Sequence, residues 1–378
     1  MKLIHLSDLH LGKKVCGFSM IEDQKHILEQ IIEIIEDERP QGVMLAGDLY
    51  DKSVPSVEAV QLFDWFLEQL VAAGCSVYAI SGNHDSAERL AFGAGLMKAN
   101  QVYFSPVYDG TVKKIEVTDE YGPVCIWLMP FLKPSTVRQG LKKLDEDEDI
   151  TGYQDAVEQV ICRMDIDESH RNILVAHQFV TGASCCESEE LNVGGMDQIS
   201  ADIFAVFDYV ALGHIHSPQK IGRDTIRYCG TPLKYSFSEA GQTKSVSVIT
   251  LYEKGRVELR TVDLKPLRAM RRLKGTYMEL MDKSSYTDEG RMDYVHITLT
   301  DEDDIPDCLQ KLRTIYPNLM QLEYDNLRTR TNQEIEGMDE TIHKSEQELF
   351  EDFFELQNNQ AMSEEQKNYI SELIEKMR

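Results

Sequence analysis

Polar and apolar positions in the first part of the chain follow two periods in turn. Leu3-Ile4-His5-Leu6 is a short apolar strand that ends at Ser7-Asp8. Ile27, Leu28, Ile31, Ile34 and Ile35 recur near a 3.6-residue period, which predicts a helix over residues 21–36 that Pro40 stops. The apolar run Gly42-Val43-Met44-Leu45-Ala46 reads as a buried strand ending at Gly47-Asp48. Val60, Phe63, Phe66, Leu67 and Leu70 share one face of a helix over residues 56–71. A third strand, residues 76–80, ends at Gly82-Asn83-His84-Asp85. This alternation implies parallel strands joined by right-handed helical crossovers.

Later strands keep the habit. Residues 172–176 lead into His177, and residues 209–212 into Gly213-His214-Ile215-His216. Residues 245–251 and 256–262 alternate like an antiparallel pair around the turn Glu253-Lys254-Gly255. The pattern changes near Pro266. Residues 267–327 read as a small α+β unit, with a strand over 294–299 and a helix over 306–315. The tail reads as helical. Leu349, Phe350, Phe353, Phe354 and Leu356 mark one helix, and Ser363-Glu364-Glu365-Gln366 is a capping box opening a second, striped by Tyr369, Ile370, Leu373, Ile374 and Met377. The expected organisation is therefore 1–265, 266–330 and 331–378.

Composition changes this picture little. With 42% hydrophobic and 28% charged residues, the 378-residue chain reads as globular. It shows no signal peptide and no run of roughly 20 apolar residues, so a cytoplasmic protein outside the membrane is expected. Cys16, Cys75, Cys125, Cys162, Cys185, Cys186, Cys229 and Cys308 form no CxxC pair and read as reduced thiols. A net charge of −26 taken alone argues against nucleic-acid binding, which needs Lys and Arg for phosphates. But the charge is uneven, with an acidic run at residues 145–149 and 13 acidic against 4 basic residues over 331–378. A site for divalent cations also needs local acidity, so net charge decides little about substrate.

The chemistry lies at the strand ends. Five strands each end in groups that bind metal or move protons: Asp8 and His10, Asp48, Asn83 and His84, His177, then His214 and His216. In α/β sheets, ligands bind beyond the carboxyl ends of strands, so five such ends can converge. Glycines before Asp48, Asn83 and His214 suit sharp turns and close backbone approach. Carboxylate, amide oxygen and imidazole together favour Mn, Fe or Zn over Mg or Ca. Asp48 has two oxygens and can bridge two metals. A metal pair roughly 3.5–4 Å apart would clamp a phosphate and activate a water. A histidine outside the metal shell could protonate the leaving oxygen.

These motifs resemble the calcineurin-like metallophosphoesterase superfamily, and within it the SbcD nuclease family, almost end to end. The carriers are Ile4 to Gly12, Ala46 to Asp51, Gly82 to Ser86 with Arg89-Leu90, Ala176 to Phe179, and Leu212 to His216. Gly230-Thr231-Pro232-Leu233-Lys234-Tyr235-Ser236-Phe237-Ser238-Glu239 is more particular to SbcD than the metal motifs, and residues 348–358 look like the family's C-terminal helix. The resemblance implies an α/β two-sheet sandwich flanked by helices, a small α+β cap that positions DNA, and a C-terminal helical tail. It implies that Asp8, His10, Asp48 and His216 hold one metal, and Asp48, Asn83, His177 and His214 the other. His84 would handle the proton, and manganese would be the working metal. It further implies DNA exonuclease and endonuclease activity at ends and hairpins, serving DNA repair, replication and recombination. The implied partners are an SbcC-type, SMC-like ATPase, bound through the tail, and a second copy of the chain within a heterotetramer.

Other residues carry plainer expectations. His5 reads as structural, His26 as solvated, and His170, His296 and His343 stand outside any motif. Asp51 belongs near the site by its motif. Arg89 either touches DNA or ties down its loop, and Lys133, Arg138 and Lys234 are candidates for DNA contact by charge alone. The metal motifs also suit a hydrolase of small nucleotides or phosphoproteins, and a non-catalytic scaffold is the third possibility.

Overall fold

The structure is a computed structural model that describes residues 1–144, 150–189, 198–327, 329, 350–351, 354, 362–367 and 369–370. It divides into two compact units, Met1–Leu267 and Arg268–Arg378. The first unit runs β1 (Lys2–Leu6), a hairpin of β2 (Lys14–Val15) and β3 (Phe18–Ser19), α1 (Ile21–Glu38), β4 (Gly42–Ala46), α2 (Val57–Ala72) and β5 (Ser76–Ile80). Short turns α3 (Ala87–Leu90) and α4 (Ala94–Met97) follow, then β6 (Val102–Phe104), β7 (Lys113–Asp119), β8 (Gly122–Leu128), α5 (Pro134–Lys142), α6 (Tyr153–Cys162) and β9 (Arg171–His177). The unit closes with β10 (Tyr209–Gly213), β11 (Gln219–Ile221), β12 (Arg223–Tyr228), β13 (Ser245–Leu251) and β14 (Val257–Asp263).

Among the described residues these strands make two six-stranded sheets, ordered β14-β13-β1-β4-β5-β6 and β11-β12-β10-β9-β8-β7. β1, β4, β5 and β6 run parallel, as do β8, β9, β10 and β12, so each sheet gathers its strand ends along one edge. The expected antiparallel pair is β13 with β14. The sheets pack face to face. Leu3, Met44, Ala46, Tyr78 and Ile80 of one meet Ile126, Leu128, Ile173, Val175 and Ala211 of the other in a buried core. The second sheet's other face packs α5 and α6 through Val137, Leu141, Val157, Val160 and Leu174. α1 runs to Glu38, two residues beyond expectation, and ends in a left-handed Arg39 just before Pro40. Ser56 caps α2 by accepting from the Ala59 N–H at 3.3 Å.

His5 joins the two sheets. It points from β1 into the interface between the sheets, fully buried, with Nδ1 3.0 Å from the Tyr209 hydroxyl and Nε2 3.2 Å from the Leu212 carbonyl oxygen. The carbonyl can only accept, so Nε2 carries the hydrogen and Nδ1 accepts from Tyr209. Burial pushes this imidazole down to about 3.

The second unit contains β15 (Met270–Gly275), α7 (Tyr277–Met281), β16 (Tyr294–Leu299), α8 (Cys308–Arg313) and β17 (Leu319–Tyr324). Its three strands are parallel in the order β15-β16-β17, with a helix in each connection. Leu280, Val295, Ile297, Leu299, Leu312 and Tyr316 form its core. In the tail, the Ser363–Gln366 capping box is made in both directions, at 2.8 and 3.3 Å. Most of residues 331–378, including His343 and most of the expected helices, lies outside the described residues, as does the acidic run 145–149.

Replacing His5 by Leu takes from the buried Tyr209 hydroxyl its acceptor and from the Leu212 carbonyl one of its donors. The expected loss is about 1–3 kcal/mol in urea unfolding at pH 7.5. The folded His5 binds its proton more weakly than the unfolded residue, so its contribution is full above about pH 6.5 and is lost as pH falls toward 3. H5L should therefore also flatten the acid decline in stability; an unchanged decline contradicts the assignment.

Candidate metal centre

The loops leaving β1, β4 and β5 meet those leaving β9 and β10 across the gap between the sheets. Asp8, His10, Asp48 and His214 all adopt positive φ, at 53°, 44°, 48° and 101°. Such backbone costs about 1–3 kcal/mol per residue and persists only where its surroundings enforce it. Here the Asp8 N–H donates to the Gly47 carbonyl at 3.0 Å, and the His10 N–H to the Asp48 carbonyl at 2.9 Å. Across the gap, the His214 N–H donates to Asp8 Oδ1 at 3.0 Å. Glycine is required where the strand ends crowd. A Cβ on Gly213 would strike the Ala46 carbonyl, and one on Gly82 would strike the Asp48 carboxylate.

All eight residues singled out from the sequence come together. Ligand atoms of Asp8, His10 and His216 lie within 4.8 Å of one another, as do those of His10, Asp48 and His84, and those of Asp8, Asp48 and His177. Asn83 Oδ1 lies 2.9 Å from both His177 Nε2 and His214 Nδ1. Asn83 and His84 are half-buried, and the other six are buried.

The donor set has the character of a cation site. His177 Nδ1 donates to the Ala46 carbonyl at 2.8 Å, which leaves Nε2 facing Asn83 Oδ1 and, at 3.3 Å, Asp48 Oδ2. Three acceptors in that arrangement need a proton or a metal ion among them. His10 Nε2 lies 3.1 Å from His216 Nε2, so two ring nitrogens confront each other, and His10 Nδ1 is buried without a hydrogen-bond partner. Burial holds His10 and His216 far below the ordinary imidazole range and His214 down at about 3, so these rings are neutral, the form that binds metal. Burial opposes charge on Asp48 and His177 too, but their mutual attraction prevails: Asp48 is lowered, and His177 is raised to about 9. Burial raises Asp8 to about 7. Phe131 stacks on His214 with ring centroids 6.2 Å apart.

Several supporting residues were not assigned from the sequence. Asp85 accepts from the N–H groups of Leu49, Tyr50 and Gly82 at 3.0–3.1 Å, tying the loop after β4 to that after β5. Its place in Gly-Asn-His-Asp was the available signal. Gln24 donates to the His10 carbonyl at 2.8 Å, and the Tyr235 hydroxyl donates to the Leu9 carbonyl at 2.6 Å. Asp51 lies beside the site, with Oδ1 2.7 Å from Lys13 Nζ and its carbonyl accepting from His84 Nδ1 at 3.0 Å. Of the basic candidates, Arg138 and Lys234 bond backbone carbonyls of Ile150 and Ala240, while Lys133 sits over Phe131. His26 is half-buried and 2.8 Å from Gln30 rather than fully solvated. His170 pairs with Asp167, and His296 with Glu323.

Gly82→Ala should displace Asp48 and weaken divalent-metal binding at least about tenfold. Titration calorimetry with manganese checks this, with Gly95→Ala, where a Cβ meets nothing within 4 Å, as the control. Equal affinity in the two variants would contradict the crowding at Gly82.

Comparison with known proteins gives the family of the chain. The calcineurin-like phosphoesterase family matches residues 1–218, and the SbcD C-terminal family, described as the type 5 capsule protein repressor C-terminal domain, matches residues 266–358. The chain is 33% identical over 381 residues to the SbcD subunit of the SbcCD nuclease of Staphylococcus epidermidis, covering 99% of this chain and 98% of that protein. Two solved structures show slighter likeness. One is a dimetal phosphatase from Danio rerio, 12% identical with a TM-score of 0.40, covering 70% of this chain and 99% of its own. The other is a Thermus thermophilus protein, TT1561, 13% identical with a TM-score of 0.36, covering 69% and 98%. With its donor set and its family matches, the chain belongs to the calcineurin-like metallophosphoesterases, and within them to the SbcD nuclease-subunit family, as a metal-dependent phosphoesterase.

Proposed function

We propose that the protein is a DNA nuclease subunit that hydrolyses phosphodiester bonds at DNA ends and hairpins, in the cytoplasm, together with an SbcC-type ATPase. The observation that carries this is the 33% identity to an SbcD nuclease subunit across 99% of the chain, far beyond the metal motifs. In this reading residues 266–330 cap the DNA and residues 331–378 bind the ATPase, with two copies of the chain in a heterotetramer.

Asp8, His10, Asp48 and His216 hold one cation, and Asp48, Asn83, His177 and His214 hold the other; manganese is the working metal. When bound, two such cations supply Lewis acidity to the phosphate and lower the pKa of the attacking water. His84 handles the proton at the leaving oxygen. Two contacts support this role. Its backbone N–H donates to Asp48 Oδ1 at 2.9 Å, and its Nδ1 donates to the Asp51 carbonyl at 3.0 Å. The ring is thereby oriented with Nε2 left for substrate. Its edge-to-face contact with His10, centroids 4.8 Å apart, steadies it further.

The test is cleavage of labelled duplex and hairpin DNA with manganese, with and without an SbcC-type ATPase, beside a cyclic nucleotide as competitor substrate. DNA cleavage is expected, and turnover of the cyclic nucleotide without any cut in DNA would sink the proposal. His84→Ala should lose at least about 10²-fold in rate while still binding manganese. Full activity in that variant would remove His84 from the mechanism.

A further inference from the structure

The segment Gly230–Glu239 supplies none of the eight residues at the metal centre, yet it folds against the back of it. Gly230 has φ 75°, and a Cβ there would press on the His216 carbonyl and on Pro218. The Thr231 N–H donates to that same carbonyl at 3.1 Å. At the segment's end, Glu239 is fully buried. Its carboxylate pairs with Lys244 Nζ at 2.6 Å and accepts from the Tyr235 N–H at 3.2 Å and the Ser236 hydroxyl at 3.1 Å. Lys244, also buried, donates to the His216 carbonyl at 2.9 Å. A buried ion pair is weak evidence for stability, because desolvation offsets its attraction. What it does well is hold one geometry.

That geometry passes to His216 through Ser188. Ser188 Oγ lies 2.7 Å from Glu239 Oε1 and 2.7 Å from His216 Nδ1. A hydroxyl has one hydrogen to give, and the ion-paired carboxylate can only accept. Ser188 therefore donates to Glu239 and accepts from Nδ1–H of His216. The proton count leaves His216 Nε2 bare, and Nε2 is the atom that faces His10 Nε2 at 3.1 Å. Glu189 adds a second grip, its Oε1 accepting the His216 N–H at 2.6 Å. His177 has its tautomer set by a backbone carbonyl, that of Ala46. His216 has it set by two side chains from separate parts of the chain.

We propose that Glu239 and Ser188 are positioning residues, a relay that fixes the tautomer and orientation of His216 for metal. The proposal rests on the reading of His216 as a metal ligand under the proposed function. Its scope is the cation held with Asp8 and His10, and the cation held by His177 and His214 lies outside the relay.

The test uses manganese titration calorimetry on the full chain, so its readout is binding rather than turnover. Ser188→Ala should weaken one of two manganese sites about 10–100-fold and leave the other unchanged. Its urea midpoint should stay near that of the parent, because Ser188 is only half-buried on a loop. Ser188→Thr restores the hydroxyl and should restore the affinity. Glu239→Gln should also weaken one site: its amide can donate to Ser188, turning the hydroxyl's hydrogen onto His216 Nδ1 and moving the ring hydrogen to Nε2. A Ser188→Ala isotherm like the parent's, or equal weakening of both sites, overturns the relay. His216→Ala is the control: if it keeps both sites at parental affinity, the ligand assignment itself has failed, separately from the relay.

Discussion

The closeness of the two sheets at their carboxyl edges is the constraint on which the rest depends. Ala46 ends β4 of one sheet, and Gly213 ends β10 of the other. Their backbones approach so closely that a single methyl group on Gly213 would not fit against the Ala46 carbonyl. The same carbonyl accepts from His177, and Asp8 accepts from the His214 backbone. Each cross-sheet contact sets a hydrogen-bond donor of one sheet against an acceptor of the other. His5 and Tyr209 repeat the arrangement inside the sandwich, where the purpose is cohesion alone.

This closeness is unfavourable in itself. It concentrates carboxylates and imidazoles where burial penalises every charge, and it bends Asp8, His10, Asp48 and His214 into left-handed backbone. The surrounding fold sustains it with hydrogen bonds aimed at the loops. Asp85 binds three backbone N–H groups, Gln24 and Tyr235 hold the carbonyls of His10 and Leu9, and the Glu239–Lys244 pair reaches the His216 carbonyl and ring. A cation held among these groups would offset the repulsion of their converging lone pairs, which would then have a positive charge to share. The metal family of the chain and the electrostatics of its site thus have one physical origin.

Much of the strand-and-helix order was legible because its signals are local. The strands 42–46, 76–80, 245–251 and 294–299 were read to the residue, as unbroken or alternating apolar runs. Helix ends drifted by a residue or two, as at Glu38, because the last turn is set by its cap rather than by periodicity. The supporting residues were harder. Ser188 and Glu189 lie in a loop without periodicity, and their partner His216 is 27 or 28 positions away. Glu239 stood inside a recognised segment, but nothing along the chain says that its carboxylate turns inward.

By itself the sequence determined the strand ends and what they carry, because an apolar run followed by glycine and a metal-binding side chain is written in consecutive residues. It could not say that β1, β4 and β5 belong to one sheet while β9 and β10 belong to another. Nor could it give the crowding at Gly82 and Gly213, or the tautomer of each histidine. Those follow from which surfaces meet and which acceptor stands opposite each ring nitrogen, and only packing between distant segments decides that.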